Sequence, residues 1–408
     1  MGSISNLKVR KYTVVLVLVL GVLNCPGVIT EITTIFTRQQ RFLDAYYGTV
    51  TFSVNLLEVL LVLWGIIIYR RTSFSVNLFP ILGVVLLKDL ILFFMGKMSP
   101  FMVKSWEMYM IPVVGLAVCF IVCKYARSEA DVYVFLDGLI LVNFVTQILL
   151  IVSGQRQVNG AEVIGQGHNS VGYLCALHII YSLLMREKNK RVVGVVGCAF
   201  ISILFTGSRF SLLIVLLGGC VLIPRMLKNV KRQYKIMVSI VVCVLLISVA
   251  YLMANPDICS KYPILSRAGS IFNSGGVVKN ILSDQSFKER VESWGAGIRV
   301  IKENPLGVSN SYIDIYLKTN EQGFYAFPHS AVLTFYLLWG PVFIICIIWI
   351  LFRMKRTQEK NMFYFLVCLL CCLCFYGGLE TAPKWYAYIF CLLSVIKRRE
   401  DRLHTDLE

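Results

Sequence analysis

Charge is what this chain has least of. Only 15% of its 408 residues are charged, and 23 acidic residues face 40 Lys and Arg. Histidine is scarcer still, at 4 in all. A chain that is 57% hydrophobic and so poor in charge cannot coat a soluble core, so its solvent must be lipid. Zinc-ligand spacing is missing, and so is a disulfide framework. Most of the 14 cysteines fall inside apolar runs, as do Cys368, Cys371, Cys372 and Cys374, and read as small buried hydrophobes. The formal charge of +17 would suit a nucleic-acid binder, but the Lys and Arg residues cluster at the ends of apolar runs, as in cytoplasmic membrane loops. A nucleic-acid partner is therefore excluded. No repeat and no low-complexity segment is visible. The first apolar run lacks a small-residue cleavage site and is expected to stay as a helix rather than act as a signal peptide.

What is there is a series of about twelve apolar runs, each close to the roughly 20 residues needed to cross a bilayer. They cover 12–29, 48–69, 74–96, 106–123, 132–153, 168–185, 192–208, 210–224, 236–254, 330–352, 361–380 and 384–396. Basic clusters precede the first run (Lys8, Arg10, Lys11) and follow the second (Arg70, Arg71), fourth (Lys124, Arg127) and sixth (Arg186, Lys188, Lys190, Arg191). Others follow the eighth (Arg225, Lys228), tenth (Arg353, Lys355) and twelfth (Lys397, Arg398). All fall on one side if both termini are cytoplasmic. The expected fold is thus an all-α polytopic membrane protein. Residues 1–254 carry helices one to nine, 255–329 an extracytoplasmic loop, 330–396 helices ten to twelve, and 397–408 a cytoplasmic tail.

The long polar loop is where chemistry is expected, because the Leu- and Val-rich remainder can only support a site. Within it, Ser286 and Glu289 have the spacing of a capping box. Phe287, Val291, Trp294, Ile298 and Ile301 then recur at helical spacing, and Asn304-Pro305 closes the segment. The predicted helix buries that stripe on the bundle or on headgroups, with Arg290 at its edge.

Three residues stand out. Arg209, in Thr206-Gly207-Ser208-Arg209, is either an interfacial arginine snorkelling to headgroups or a functional residue that other groups can approach past Gly207-Ser208. Arg290 either pairs with Asp284, Glu289 or Glu292 or points into a cleft. His329 opens the tenth run and either caps its helix or accepts a proton as a neutral imidazole. Among the other histidines, His168 is a rival on the same face, His178 lies inside a run and is expected to be packed or hydrogen-bonded, and His404 is in the tail. Lys88-Asp89, inside the third run, is either an ion-pathway element or a pair that holds the bundle.

These residues resemble a known pattern. His329-Ser330, then nine residues, then Gly340 is similar to the histidine motif of the O-antigen polymerase and ligase superfamily. Thr206-Gly207-Ser208-Arg209 resembles its T-G-S-R element, and Arg290 to Trp294 with Pro305-Leu306-Gly307 resembles its R-x-x-x-W…P-L-x-G stretch. Gly167-His168-Asn169 is similar to a weaker upstream element. Phe210 and Phe343 depart from the pattern, where many members have Gly and a small residue respectively. The resemblance implies a GT-C-like membrane glycosyltransferase of the bacterial inner membrane that needs no metal, cofactor or nucleotide sugar. Its implied donor is an undecaprenyl-pyrophosphate-linked oligosaccharide. His329 is then the general base, and Arg209 and Arg290 bind pyrophosphate. Ser208, His168, Asn169, Arg299 and Trp294 are supporting positions. The product is an O-antigen or capsule if the enzyme is a polymerase, with a chain-length regulator as candidate partner. A ligase acting on lipid A core is the alternative, and a lipid-linked oligosaccharide flippase or exporter is the alternative of another class.

Overall fold

The computed structural model describes residues 11–17, 59–67, 79–96, 103–126, 128–152, 168–187, 189–206, 208, 210–212, 214–216, 218–219, 251, 285–308, 328–356, 360–375 and 383–405. These residues are helices and short connections, with no strand among them. In chain order the helices are α1 (Phe79–Phe94), α2 (Val103–Tyr125), α3 (Glu129–Val152), α4 (His168–Met185) and α5 (Lys190–Thr206). They continue with α6 (Gln285–Glu303), α7 (Ala331–Trp339), α8 (Pro341–Arg356), α9 (Lys360–Phe375) and α10 (Pro383–Thr405). Arg209 and the loop segments 255–284 and 309–327 lie outside the described residues.

Several apolar runs map directly onto helices. The run expected at 168–185 is α4, and that at 192–208 is α5, which starts two residues earlier. The last run becomes α10, which continues through the expected tail as far as Thr405. α10 packs along α2, α4 packs against α5 and α9, and α3 crosses α5. Their shared interior is aromatic and aliphatic, with Trp385, Tyr388, Phe135, Leu136 and Leu174 fully enclosed. Cys119, Cys175 and Cys391 are buried free thiols in it, whereas Cys371 and Cys374 face outward. Among the described residues no single helix is long and apolar enough to cross a membrane. The pair Ala331–Trp339 and Pro341–Ile348 meets that test together, bent by 120°.

The tenth run therefore differs from expectation. It is two helices broken at Gly340. Its cause is local: Gly340 has φ +64, a conformation that a side chain disfavours. Pro341 then opens α8, where its missing N–H costs nothing.

One polar knot interrupts the apolar interior. Asp137 of α3 receives both Nη atoms of Arg186 and lies 2.8 Å from Arg191 Nη2. His178 Nε2 is 3.3 Å from the same carboxylate, and His178 Nδ1 is 3.0 Å from the Tyr388 hydroxyl. The knot ties α3, α4, α10 and both ends of the α4–α5 turn together. It also confirms that His178 is a hydrogen-bonded interior residue.

Candidate active site

The site is built around α6 and the first turn of α7. α6 runs from Gln285, one residue before the expected cap Ser286, and ends where Asn304-Pro305 was expected to end it. The buried face is not the expected one. Arg290, Ser293, Ala296 and Val300 face the protein, whereas Val291 and Ile298 remain 46% and 44% exposed. Phe287, Trp294 and Ile301 are half-buried between the two faces. Small residues explain the rotation: at Gly297 an added Cβ would lie 3.1 Å from Pro328 Cγ, so only a slim surface lets α6 approach the 328–330 segment.

α6 and this segment are then joined by main-chain hydrogen bonds. The His329 N–H donates to Ser293 Oγ at 2.9 Å. Trp294 Nε1–H donates to the His329 carbonyl at 3.0 Å. Ser330 is the N-cap of α7, with extended backbone and its hydroxyl accepting the Leu333 N–H. Thr334 Oγ1 donates to the Ser330 carbonyl at 3.1 Å. His329 is thus held on both sides of its peptide, and Ser330 caps the helix that the sequence left open for His329 itself to cap.

The far end of α7 is fixed by two glycines. Gly307 has φ +81, and a Cβ there would lie 2.8 Å from the Leu337 carbonyl oxygen. A Cβ on Gly340 would overlap the Leu306 carbonyl. Val308 N–H donates to the Leu337 carbonyl at 2.8 Å, and the Tyr336 hydroxyl to the Pro305 carbonyl at 2.8 Å. The Pro305-Leu306-Gly307 turn and the α7 break are therefore one interlocked unit. This gives a physical reason for the two sequence elements to occur together.

Arg290 is 9% exposed. It makes no ion pair with Glu289 or Glu292 among the described residues, and its Nε makes no hydrogen bond there. Its guanidinium carbon instead lies 4.8 Å from the centre of the Phe210 ring. Burial first, and then the field of Arg290, hold the His329 imidazole down at about 4. At neutral pH it is an uncharged acceptor beside a fixed cation.

The T-G-S-R element approaches the same place through Phe210. Ser208 is buried, and its hydroxyl is 2.7 Å from that of Ser211. Its N–H donates to Thr206 Oγ1 at 3.3 Å, and its carbonyl accepts the Leu212 N–H. Ser208 is therefore tied to Thr206, Ser211 and Leu212. The first turns of α4 pack against this turn: a Cβ at Gly172 would lie 2.6 Å from Ser211 Oγ. His168 and Asn169 open α4, but their side chains lie outside the described residues. Arg299 is exposed on α6, two turns beyond Arg290. Sequence reasoning did not pick out Ser293 and Phe210 as site residues. A small polar residue one turn after Arg290 was the available signal for Ser293. Among the described residues no group of three His, Cys, Asp or Glu side chains could hold a metal ion.

The arrangement is a buried arginine on α6 whose field acts on a neutral histidine at the entry to α7, the first half of a broken apolar helix. Residues 194–348 match the family model described as O-antigen ligase, which supports the resemblance to the O-antigen polymerase and ligase superfamily. The matched segment takes in Ser208, Phe210, Arg290, Trp294, Gly307, His329 and Gly340, whereas His168 and Asn169 precede it. No protein of curated function matches the chain. The match supports a part in polysaccharide biosynthesis, with an O-antigen polymerase or ligase type of activity.

Proposed function

We propose that this chain is a metal-independent, inverting glycosyltransferase of the bacterial inner membrane that polymerises a surface polysaccharide. It transfers a glycan from undecaprenyl pyrophosphate to a sugar hydroxyl of another lipid-linked repeat unit. The observation that carries this reading is the Arg290–His329 pair. Among the described residues the buried Arg290 guanidinium makes no ion pair and its Nε no hydrogen bond, and an arriving anion would offset the cost of burying that charge. A sugar-linked pyrophosphate is such an anion, and arginine grips its oxygens in a fork that lysine lacks.

In the transfer, the acceptor hydroxyl attacks the anomeric carbon while the carbon–oxygen bond to the pyrophosphate breaks. The leaving pyrophosphate keeps the electron pair and is stabilised by Arg290 and, by its place beside Phe210 in the chain, Arg209. His329 takes the hydroxyl proton. Donor binding also tunes the base. The anionic donor offsets the field of Arg290, which is one of the two causes holding His329 at about 4. The imidazole thus gains basicity once the donor is in place. Trp294 and Ser293 orient it through its main chain.

A ligase is the second reading, favoured by the description of the matched family model. It uses the same pair with lipid A core as acceptor. Both readings place the loop outside, both termini inside and the donor in the outer leaflet. The decisive assay uses purified protein in proteoliposomes with the lipid-linked repeat unit and chelator. Wild type is expected to form a polymer ladder, and His329→Ala to lose it while still inserting. Single transfer to lipid A core without a ladder selects the ligase. A normal ladder from His329→Ala sinks both.

A further inference from the structure

Lys88 and Asp89 lie in α1 and are buried. Lys88 Nζ is 3.0 Å from Asp89 Oδ1. The same ammonium donates to the Leu338 carbonyl at 2.5 Å, a contact spanning 250 residues of sequence. Leu338 is the penultimate residue of α7.

A helix that stops leaves its last carbonyls without helical donors. In α7 these carbonyls are met one by one. The Gly340 N–H donates to Tyr336 O at 2.7 Å and the Val308 N–H to Leu337 O at 2.8 Å. Lys88 supplies the donor for Leu338 O. In apolar surroundings no water can stand in for a missing donor there. An ammonium is also the charge that a helix C-terminus favours. The C-terminal end of α7 thus takes one of its donors, a cation, from another part of the chain.

We infer that Lys88 is a positioning residue for the site: by capping Leu338 it fixes one end of α7 and thereby the placement of His329 at the other. α7 is only 9 residues long, so a shift of its C-terminal end is carried to its N-terminal end as a rigid body. Asp89 serves to hold the ammonium in place rather than to pass ions. The inference rests on His329 acting as the base in the proposed transfer. The deeper claim, that Lys88 secures the helix, can be read without activity.

The test compares two neutral pairs, neither of which leaves an uncompensated buried charge. Lys88→Gln with Asp89→Asn keeps an N–H donor for Leu338, whereas Lys88→Met with Asp89→Asn has none. Both are measured in proteoliposomes for kcat and donor KM, and by hydrogen exchange of amides 331–340. The pair with a donor is expected to retain kcat within about tenfold. The pair without one is expected to lose about a hundredfold in kcat, with donor KM changed less than about threefold, as for a displacement of about 1 Å. Its amides should also exchange faster. Equal kcat in the two pairs would reduce Lys88 and Asp89 to mutual neutralisation and overturn the inference. A rise in donor KM that accounts for the loss would make Lys88 a substrate contact and overturn it too. If His329→Ala proves fully active, the functional reading fails and exchange decides alone: equal protection in both pairs removes the cap as well.

Discussion

Trp294 donates its indole N–H to the carbonyl of His329, while the neighbouring Ser293 hydroxyl accepts the N–H of the same residue. The main chain of His329 is therefore held at both its N–H and its carbonyl, which fixes where the imidazole is mounted. Trp294→Phe removes one of these two restraints and keeps an aromatic, though smaller, ring. It should cost about 1 kcal/mol of stability and lower kcat by about tenfold, with donor KM little changed. Steady-state rates and thermal melting on one preparation check this. A wild-type rate would mean that the indole bond does not orient His329.

Gly340→Ala should be among the most damaging single-atom additions in the chain. A Cβ there overlaps the Leu306 carbonyl, and the backbone has φ +64. The combined overlap and strain should cost about 3 kcal/mol or more. The predicted readout is a lower melting temperature and loss of transfer. Gly83→Ala, where a Cβ meets nothing within 4 Å, is the control that should remain near wild type.

The pH response of His329 has a definite sign. Its ordinary value is about 6.5, and burial with Arg290 brings it to about 4. It must be neutral to take a proton, so kcat/KM should hold steady from pH 8 down to about 5 and fall only near 4. Arg290→Gln removes the second cause and should move the midpoint upward, still below 6.5 because burial remains. Histidine-selective NMR resolves this in a chain with 4 histidines. A wild-type midpoint at 6.5 would contradict the enclosed geometry.

Asp137→Asn leaves Arg186, 6% exposed on its side chain, without its carboxylate. Removing one partner of a buried ion pair costs about 3–5 kcal/mol. The variant should melt markedly lower, and replacing Arg186 with Met in the same chain should recover part of the loss. No recovery would show that Arg191 and His178 carry the knot instead.

Helix positions were largely legible in the sequence, and helix faces were not. The boundaries of α4 followed from apolar length, and those of α6 from the polar cap and Asn304-Pro305. The orientation of α6 did not follow. Its apolar stripe of Phe287, Val291, Trp294, Ile298 and Ile301 was the expected buried face, yet Arg290, Ser293 and Gly297 face the protein. Apolar spacing alone does not report close packing, which here selects small residues such as Ser293 and Gly297 against the 328–330 segment. The break at Gly340 was hidden for a related reason, since counting apolar residues passes over Gly340-Pro341. The histidine motif and the Pro305-Leu306-Gly307 turn were visible as separate elements, but their interlock needs coordinates. Asp89 was legible as a partner of Lys88, but the Leu338 carbonyl, 250 residues away, was not.

That last contact also limits how the chain can be divided. The family match begins at residue 194, whereas the donor that finishes α7 is Lys88. The matched region is therefore not a portable cassette. Expressed alone or grafted onto another host, it would carry both site residues yet lack the upstream prop that holds one of them in register.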